Sequence, residues 1–263
     1  MKNKILPDEN FLVVNDLVAA FPGSSNASRV LGGISLSLNR GEILGIVGES
    51  GSGKTIFSKC LIRLESPAKI VSGSILFNNQ ELTGKTEKEL RLIRGKKIAL
   101  VMQNPKAAMD PVFTMGSQFN EVISLNKLSK KKKKEMIYNF LKNVGIASPK
   151  ERCRQYPHEW SRGMLQRAQL VMAFSASPEL LILDEVTSAL DPTICLQILD
   201  LIVRFKNEHH AGIILITHDL SIASKICDRL AVMHQGLIVE SGTVREIFDK
   251  PVHPYTKLLV SSI

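Results

Sequence analysis

The eight residues Gly48-Glu-Ser-Gly-Ser-Gly-Lys-Thr55 restrict this chain more than any other feature. They follow the apolar run EILGIVG at 42–48, which reads as a strand, and open a helical pattern from Lys54 to Leu64. Gly48, Gly51 and Gly53 let backbone N–H groups curl round a phosphate chain, with Glu49, Ser50 and Ser52 completing the loop. The helix start adds partial positive charge, Lys54 is spaced to reach β and γ phosphates, and Thr55 offers its hydroxyl to Mg²⁺. A tight strand-to-helix turn would explain the glycines but not Lys54. The ligand predicted by the pattern is a nucleotide.

Further apolar runs recur at 11–14, 74–77, 97–103, 180–185, 212–219, 230–233 and 237–240. Those near 46, 100, 182 and 215 are continuous rather than alternating, as strands covered on both faces are, and so predict a central parallel sheet. Helical patterns at 54–64, 132–144, 164–176 and 194–205 make the class α/β. Residues 105–165 interrupt this rhythm and read as a helical subdomain inserted into one domain spanning 1–263. With 263 residues and 44% hydrophobic side chains the chain has material for such a core. Pro7, Asp8 and Glu9 break any apolar leader, and no run of roughly 18 uncharged apolar residues occurs, so neither secretion nor a membrane span is expected. The four cysteines, Cys60, Cys153, Cys195 and Cys227, lack metal-like spacing and fit a reducing compartment. Net charge is +9, partly from Lys130 to Lys134, which read as the solvated start of a helix behind Ser129.

Two other stretches carry phosphate chemistry. In LLILDE, Asp184 ends a buried strand where it can bind Mg²⁺, and Glu185 follows it, placed to orient or deprotonate an attacking water. His218 likewise ends the apolar run GIILIT, at the sheet edge where such folds bind ligands. The remaining histidines read as surface or packing residues.

GESGSGKT, Gln103 in VMQNP, the SRGM segment, LILDE, SALD at 188–191 and Thr217-His218-Asp219 together resemble the ATP-binding subunit of an ABC transporter, across nearly the whole chain. The resemblance implies a P-loop NTPase core of the RecA-like kind, with a largely parallel sheet, an antiparallel β element near the N-terminus and the inserted helices. It further implies that Gln103 senses Mg²⁺ and the γ-phosphate, that His218 holds the γ-phosphate, and that Ser188 and Asp191 lie at a dimer interface. Phe21 is the candidate aromatic that stacks on adenine. Ser161, Arg162, Gly163 and Met164 stand where the family's signature meets the ATP of the opposite subunit. ATP and Mg²⁺ are the implied cofactors. The implied partners are a second ATPase subunit, two membrane permease subunits and an extracytoplasmic substrate-binding protein, with no nucleic acid, at the cytoplasmic face of the membrane.

Finer motifs, MDP at 109–111, YPHE at 156–159 and HPYT at 253–256, resemble ATPases of dipeptide, oligopeptide and nickel importers; the stop at Ile263 leans toward the shorter nickel type. Three residues depart from the family: Trp160 for Leu, Arg162 for the first signature Gly, and Val186 for Pro. An arginine in a first helical turn needs no positive φ, so the signature is expected to keep its function. The rivals are an ABC ATPase acting on nucleic acid or ribosomes, which would carry a coiled-coil insertion or two cassettes, and a weakly hydrolysing regulatory subunit, which Arg162 alone suggests.

Overall fold

A computed structural model describes residues 11–22, 29–123, 129–188 and 191–262. The N-terminal MKNKILPDEN, most of PGSSNASR after Phe21, the Ala189-Leu190 pair inside SALD and Ile263 lie outside the described residues. In chain order the strands are β1 (Leu12–Ala20), β2 (Arg29–Leu38), β3 (Ile43–Val47), β4 (Lys69–Phe77), β5 (Gln80–Glu81), β6 (Ile98–Val101), β7 (Leu180–Asp184), β8 (Gly212–Thr217), β9 (Arg229–His234) and β10 (Leu237–Thr243). The helices are α1 (Lys54–Leu61), α2 (Glu87–Ile93), α3 (Met115–Ile123), α4 (Lys130–Asn143), α5 (Pro149–Arg152), α6 (Arg162–Ser175), α7 (Pro192–His209), α8 (Leu220–Ile226), α9 (Val244–Asp249) and α10 (Pro254–Ser261).

Two sheets form. The larger runs β10-β9-β3-β8-β7-β6, parallel throughout except for the β10–β9 hairpin at its edge. The smaller, β2-β1-β4-β5, is antiparallel. The fold class is thus the one expected, including the antiparallel element near the N-terminus.

The continuous apolar strands have a simple cause: successive side chains point to opposite faces and both faces are covered. Leu44, Ile46, Leu180, Ile182, Ile214 and Ile216 pack with α1 and the antiparallel sheet. Their neighbours Ile43, Leu181, Leu183, Ile213 and Leu215 pack with α3, α4, α6 and α7. The helices expected over 105–165 are present as α3, α4 and α5, and α6 runs on from Arg162 to Ser175, so the helical region shares one apolar cluster with the sheet. Ser129 caps α4 by accepting the Lys132 N–H, and Lys131, Lys132 and Lys134 are exposed, as a solvated helix start requires.

Strand β2 was not among the expected elements, although Ile34, Leu36 and Leu38 alternate with Ser35 and Ser37. Gly32 and Gly33 mask the pattern. Gly33 takes φ +107, and Asp16 across the ladder takes φ 45, where the β1–β2 register shifts. Among the described residues no helix is long and apolar enough to cross a membrane.

Candidate nucleotide site

The parallel strands β3, β7 and β8 are neighbours, and their C-terminal ends deliver the loop beginning at Gly48, the pair Asp184-Glu185, and His218 to one edge. Gly48 lies with φ +153 so close to the end of β9 that a Cβ there would stand 2.1 Å from the Met233 carbonyl oxygen. Gly53, at φ +105, turns the chain into α1, and a side chain there would press on Met233 and Val30. Lys54 is 5% exposed, and its Nζ donates to the Gly48 and Glu49 carbonyls at 2.7 Å each and to Ser52 Oγ at 3.4 Å. Burial holds this ammonium below its ordinary range, opposed by the nearby Glu185, Asp184 and Glu49 carboxylates.

Asp184 is 2% exposed, accepts the Ser58 hydroxyl at 3.3 Å, and has a buried Oδ1 without a hydrogen-bond partner. Burial pushes its carboxyl up; the Thr55 and Ser58 hydroxyls and Lys54 offset only part of that. An orphaned carboxylate oxygen beside a threonine hydroxyl suits a hard divalent cation such as Mg²⁺, which needs one or two protein oxygens when phosphates and water supply the rest. Among the described residues no group of three His, Cys, Asp or Glu is arranged to hold a metal ion by itself, and the four cysteines are free.

A raised aspartate favours folding while protonated, and that contribution is lost as pH rises from the unfolded value through the folded one, leaving a net cost at neutral pH. Asp184→Asn is therefore expected to raise Tm of the nucleotide-free chain at pH 7 by about 2–4 °C, equivalent to about 1 kcal/mol, with a smaller gain near pH 4. The same variant is expected to lose the added stabilisation that MgATP provides over ATP with EDTA. Thermal unfolding at both pH values, with and without Mg²⁺, measures both effects; a Tm that falls at pH 7 contradicts the assignment.

Glu185 has φ 51, a left-handed conformation costing a non-glycine residue on the order of 1–2 kcal/mol. Its backbone is held in several directions. Its N–H donates to the Ile216 carbonyl at 3.0 Å, while its carbonyl accepts Gln166 Nε2 at 2.9 Å and Ser188 Oγ at 3.0 Å. The bend turns its carboxylate between two predicted site residues: Gln103 Nε2 donates to Oε2 at 3.1 Å, and His218 Nδ1 lies 3.1 Å from Oε1. Gln166, fully buried on α6, is a supporting residue that the sequence reading missed. Its signal is helical spacing: it stands three positions before Gln169 and four before Leu170, on the covered face of α6. Val186 is fully buried, so an apolar residue suffices where the family has proline.

Two cavities meet at Glu185. One, of about 320 Å³, is lined by Phe21, Ser50, Lys54, Thr55, Gln103 and Glu185, which brings the candidate adenine-stacking aromatic to the phosphate loop. Phe21 is 38% exposed, leaving ring surface available for stacking. The other, of about 400 Å³, lies on the His218 side and includes Ser188 and Asp219. Asp191 caps α7 by accepting the Ile194 N–H at 3.0 Å.

Ser161, Arg162 and Gly163 line neither cavity. Ser161 caps α6 by accepting the Met164 N–H at 3.2 Å, and Arg162 is the first helical residue, exposed and without positive φ. The substitution therefore leaves the helix start intact. Trp160 is 4% exposed and packs in the apolar cluster, its ring 6.5 Å from that of Phe119, so the larger side chain is taken up by the core.

A family model described as ABC transporter matches residues 31–188, and one described as the C-terminal region of oligopeptide/dipeptide transporters matches 239–263. The chain is 42% identical over 255 residues to a probable peptide ABC transporter ATP-binding protein of Sinorhizobium fredii, covering 96% of this chain and 76% of that one. It is 40% identical to an oligopeptide transport ATP-binding protein of Lactococcus lactis, over 98% and 77% of the two chains. It is 42% identical to a dipeptide transport ATP-binding protein of Bacillus subtilis, over 97% and 77%. Among solved structures, a dimeric ATP-binding cassette in a post-hydrolysis state with ADP and phosphate superposes with TM-score 0.80 at 21% identity, covering 89% of this chain and 99% of that one, a likeness of fold. A protein of Clostridium perfringens described as part of an ABC transporter complex superposes with TM-score 0.73 at 28% identity, over 91% of each chain.

Proposed function

Because the chain belongs to the ABC transporter ATPase family, we propose that it is the ATP-binding and ATP-hydrolysing subunit of a membrane importer whose cargo is a peptide. The observation that carries the reading is the Glu185 carboxylate, held between Gln103 and His218 at the mouth of the cavity that Lys54 and Thr55 line. In this proposal residues 1–263 act as one ATP-binding domain with its inserted helices. Phe21 stacks on adenine, and the amides of Gly48 to Thr55 wrap the phosphates. Lys54 neutralises the β and γ phosphates. Thr55 and Asp184 hold Mg²⁺, with Gln103 beside them, and the ion when bound neutralises charge on the transferring phosphoryl group. Glu185 orients the attacking water and accepts its proton, while His218 fixes the carboxylate and meets the γ-phosphate.

The signature residues Ser161 to Met164 serve the nucleotide of a second ATPase subunit, with the capped start of α6 pointing its free N–H groups at phosphate. Ser188 and Asp191 belong to the same interface. Closure of two such subunits around ATP would drive two permease subunits, supplied by an extracytoplasmic binding protein, with this chain peripheral on the cytoplasmic face. An apolar cavity of about 290 Å³, lined by Leu64, Leu100, Met102, Met109 and Met172, offers a permease a seat. Met102 in that wall is followed directly by Gln103, so movement there reaches the hydrolytic carboxylate.

The test is reconstitution of the complex purified with its co-isolated membrane proteins into vesicles. ATP turnover is expected to rise severalfold with oligopeptide-loaded binding protein and to be unaffected by Ni²⁺ or a nickel chelate. Arg162→Gly is expected to change turnover less than about twofold, since the helix start is already formed. Stimulation by nickel instead of peptide overturns the cargo assignment, and tight salt-sensitive DNA binding without membrane partners overturns the transporter reading.

A further inference from the structure

The segment His253-Pro-Tyr-Thr256 reaches back to the phosphate loop. Glu240 of β10 accepts the backbone N–H groups of Val252 and His253 at 2.8 and 2.9 Å, clamping the chain just before α10. His253 caps α10 by accepting the Tyr255 N–H at its Nδ1, 3.2 Å away, and Pro254 occupies the first helical turn, where a missing N–H costs nothing. The Tyr255 ring, 8% exposed, stacks on His234 at 3.9 Å between centroids. Its hydroxyl oxygen accepts the Glu49 N–H at 2.9 Å.

That N–H belongs to the peptide joining Gly48 to Glu49, whose carbonyl, on Gly48, accepts Lys54 Nζ at 2.7 Å. One rigid peptide plane is thus held at both ends, by Tyr255 on its amide side and by Lys54 on its carbonyl side. A second tie from the same edge of the sheet, Gly236 N–H to the Ser52 carbonyl at 2.9 Å, fixes the far side of the loop. We infer that Tyr255 is a positioning residue for nucleotide binding: the C-terminal HPYT segment sets the orientation of the 48–49 peptide and, through it, the place of the Lys54 ammonium. The inference rests on the reading of this loop as the nucleotide site. The rest of the motif supports this role: His253 and Pro254 start the helix that aims the tyrosine, and Thr256 is fully buried behind it.

Tyr255→Phe keeps the ring and its stack while removing the acceptor oxygen, leaving the Glu49 N–H without its partner. In the full chain, Kd for both ATP and ADP is expected to rise about five- to tenfold. In the assembled complex KM for ATP should rise by a similar factor while kcat at saturation stays within about twofold. Amide exchange across 48–53 should accelerate, whereas Leu258→Ala, on the exposed side of α10, should leave every readout unchanged. Unchanged Kd and exchange in Tyr255→Phe, even with a lowered Tm, overturn the positioning role. Should that variant not fold, the wild-type Glu49 amide decides: protection from exchange supports the contact, and exchange at the rate of an open loop overturns it. Failure of the wild-type chain itself to bind ATP would instead strike the nucleotide reading.

Discussion

Glu185→Gln is expected to reduce steady-state ATP turnover of the assembled complex by roughly 10²–10⁴-fold while leaving ATP binding intact. The exchange removes one negative charge and the proton-accepting oxygen but keeps the shape of the side chain and its hydrogen-bonding reach toward Gln103 and His218. The backbone cost of the left-handed residue is unchanged, since glutamine pays what glutamate pays. Binding then proceeds without the chemical step, and an ATP-dependent dimer should accumulate. Turnover assays and size-exclusion chromatography with and without MgATP measure the two halves of this result. Turnover within about threefold of wild type would remove Glu185 from the role assigned to it.

The second large effect is expected at Lys54. Among the described residues lining the phosphate cavity it is the cation, and it is held ready there by two carbonyls at the cost of burying its charge. Lys54→Ala should weaken ATP affinity by about 10²–10³-fold, because the phosphates lose a preorganised charge that water cannot replace inside the loop. The distinction from Tyr255→Phe is one of size and kind: deletion of the cation abolishes turnover as well, whereas loss of the tyrosine oxygen shifts only the concentration of ATP required. Equilibrium binding of a fluorescent ATP analogue, with circular dichroism to verify folding, separates loss of the ligand from loss of the fold. Unchanged affinity in the folded variant would contradict the phosphate-loop assignment.

Local chemistry was legible without coordinates wherever its cause lies within a few residues. The Gly48 to Thr55 spacing, the doubly apolar strands around 46, 100, 182 and 215, and the Ser129 and Ser161 helix starts are all set by sterics and hydrogen bonding between near neighbours in the chain. Strand β2 carries an Ile34-Leu36-Leu38 alternation that Gly32 and Gly33 mask, Gly33 sitting at the bulge where the β1–β2 register shifts. Arg162 stands where the sequence places it, in the first turn of α6, exposed and without positive φ, so the helix start needs no glycine there.

What the tertiary structure alone decided is which distant residues meet. Gln103, Glu185 and His218 come from three separate strand ends, and only the adjacency of β6, β7 and β8 closes the two 3.1 Å contacts on one carboxylate. The left-handed turn at Glu185 depends on Gln166 and Ile216, neither of which carries a local sign of that duty. Tyr255 lies 206 positions from Glu49, and nothing in HPYT names its partner. A chain's own neighbours dictate its turns, caps and periodicity through short-range sterics. Pairings across the fold follow instead from sheet order and from the burial of both sheet faces, which many residues settle jointly and no single stretch records.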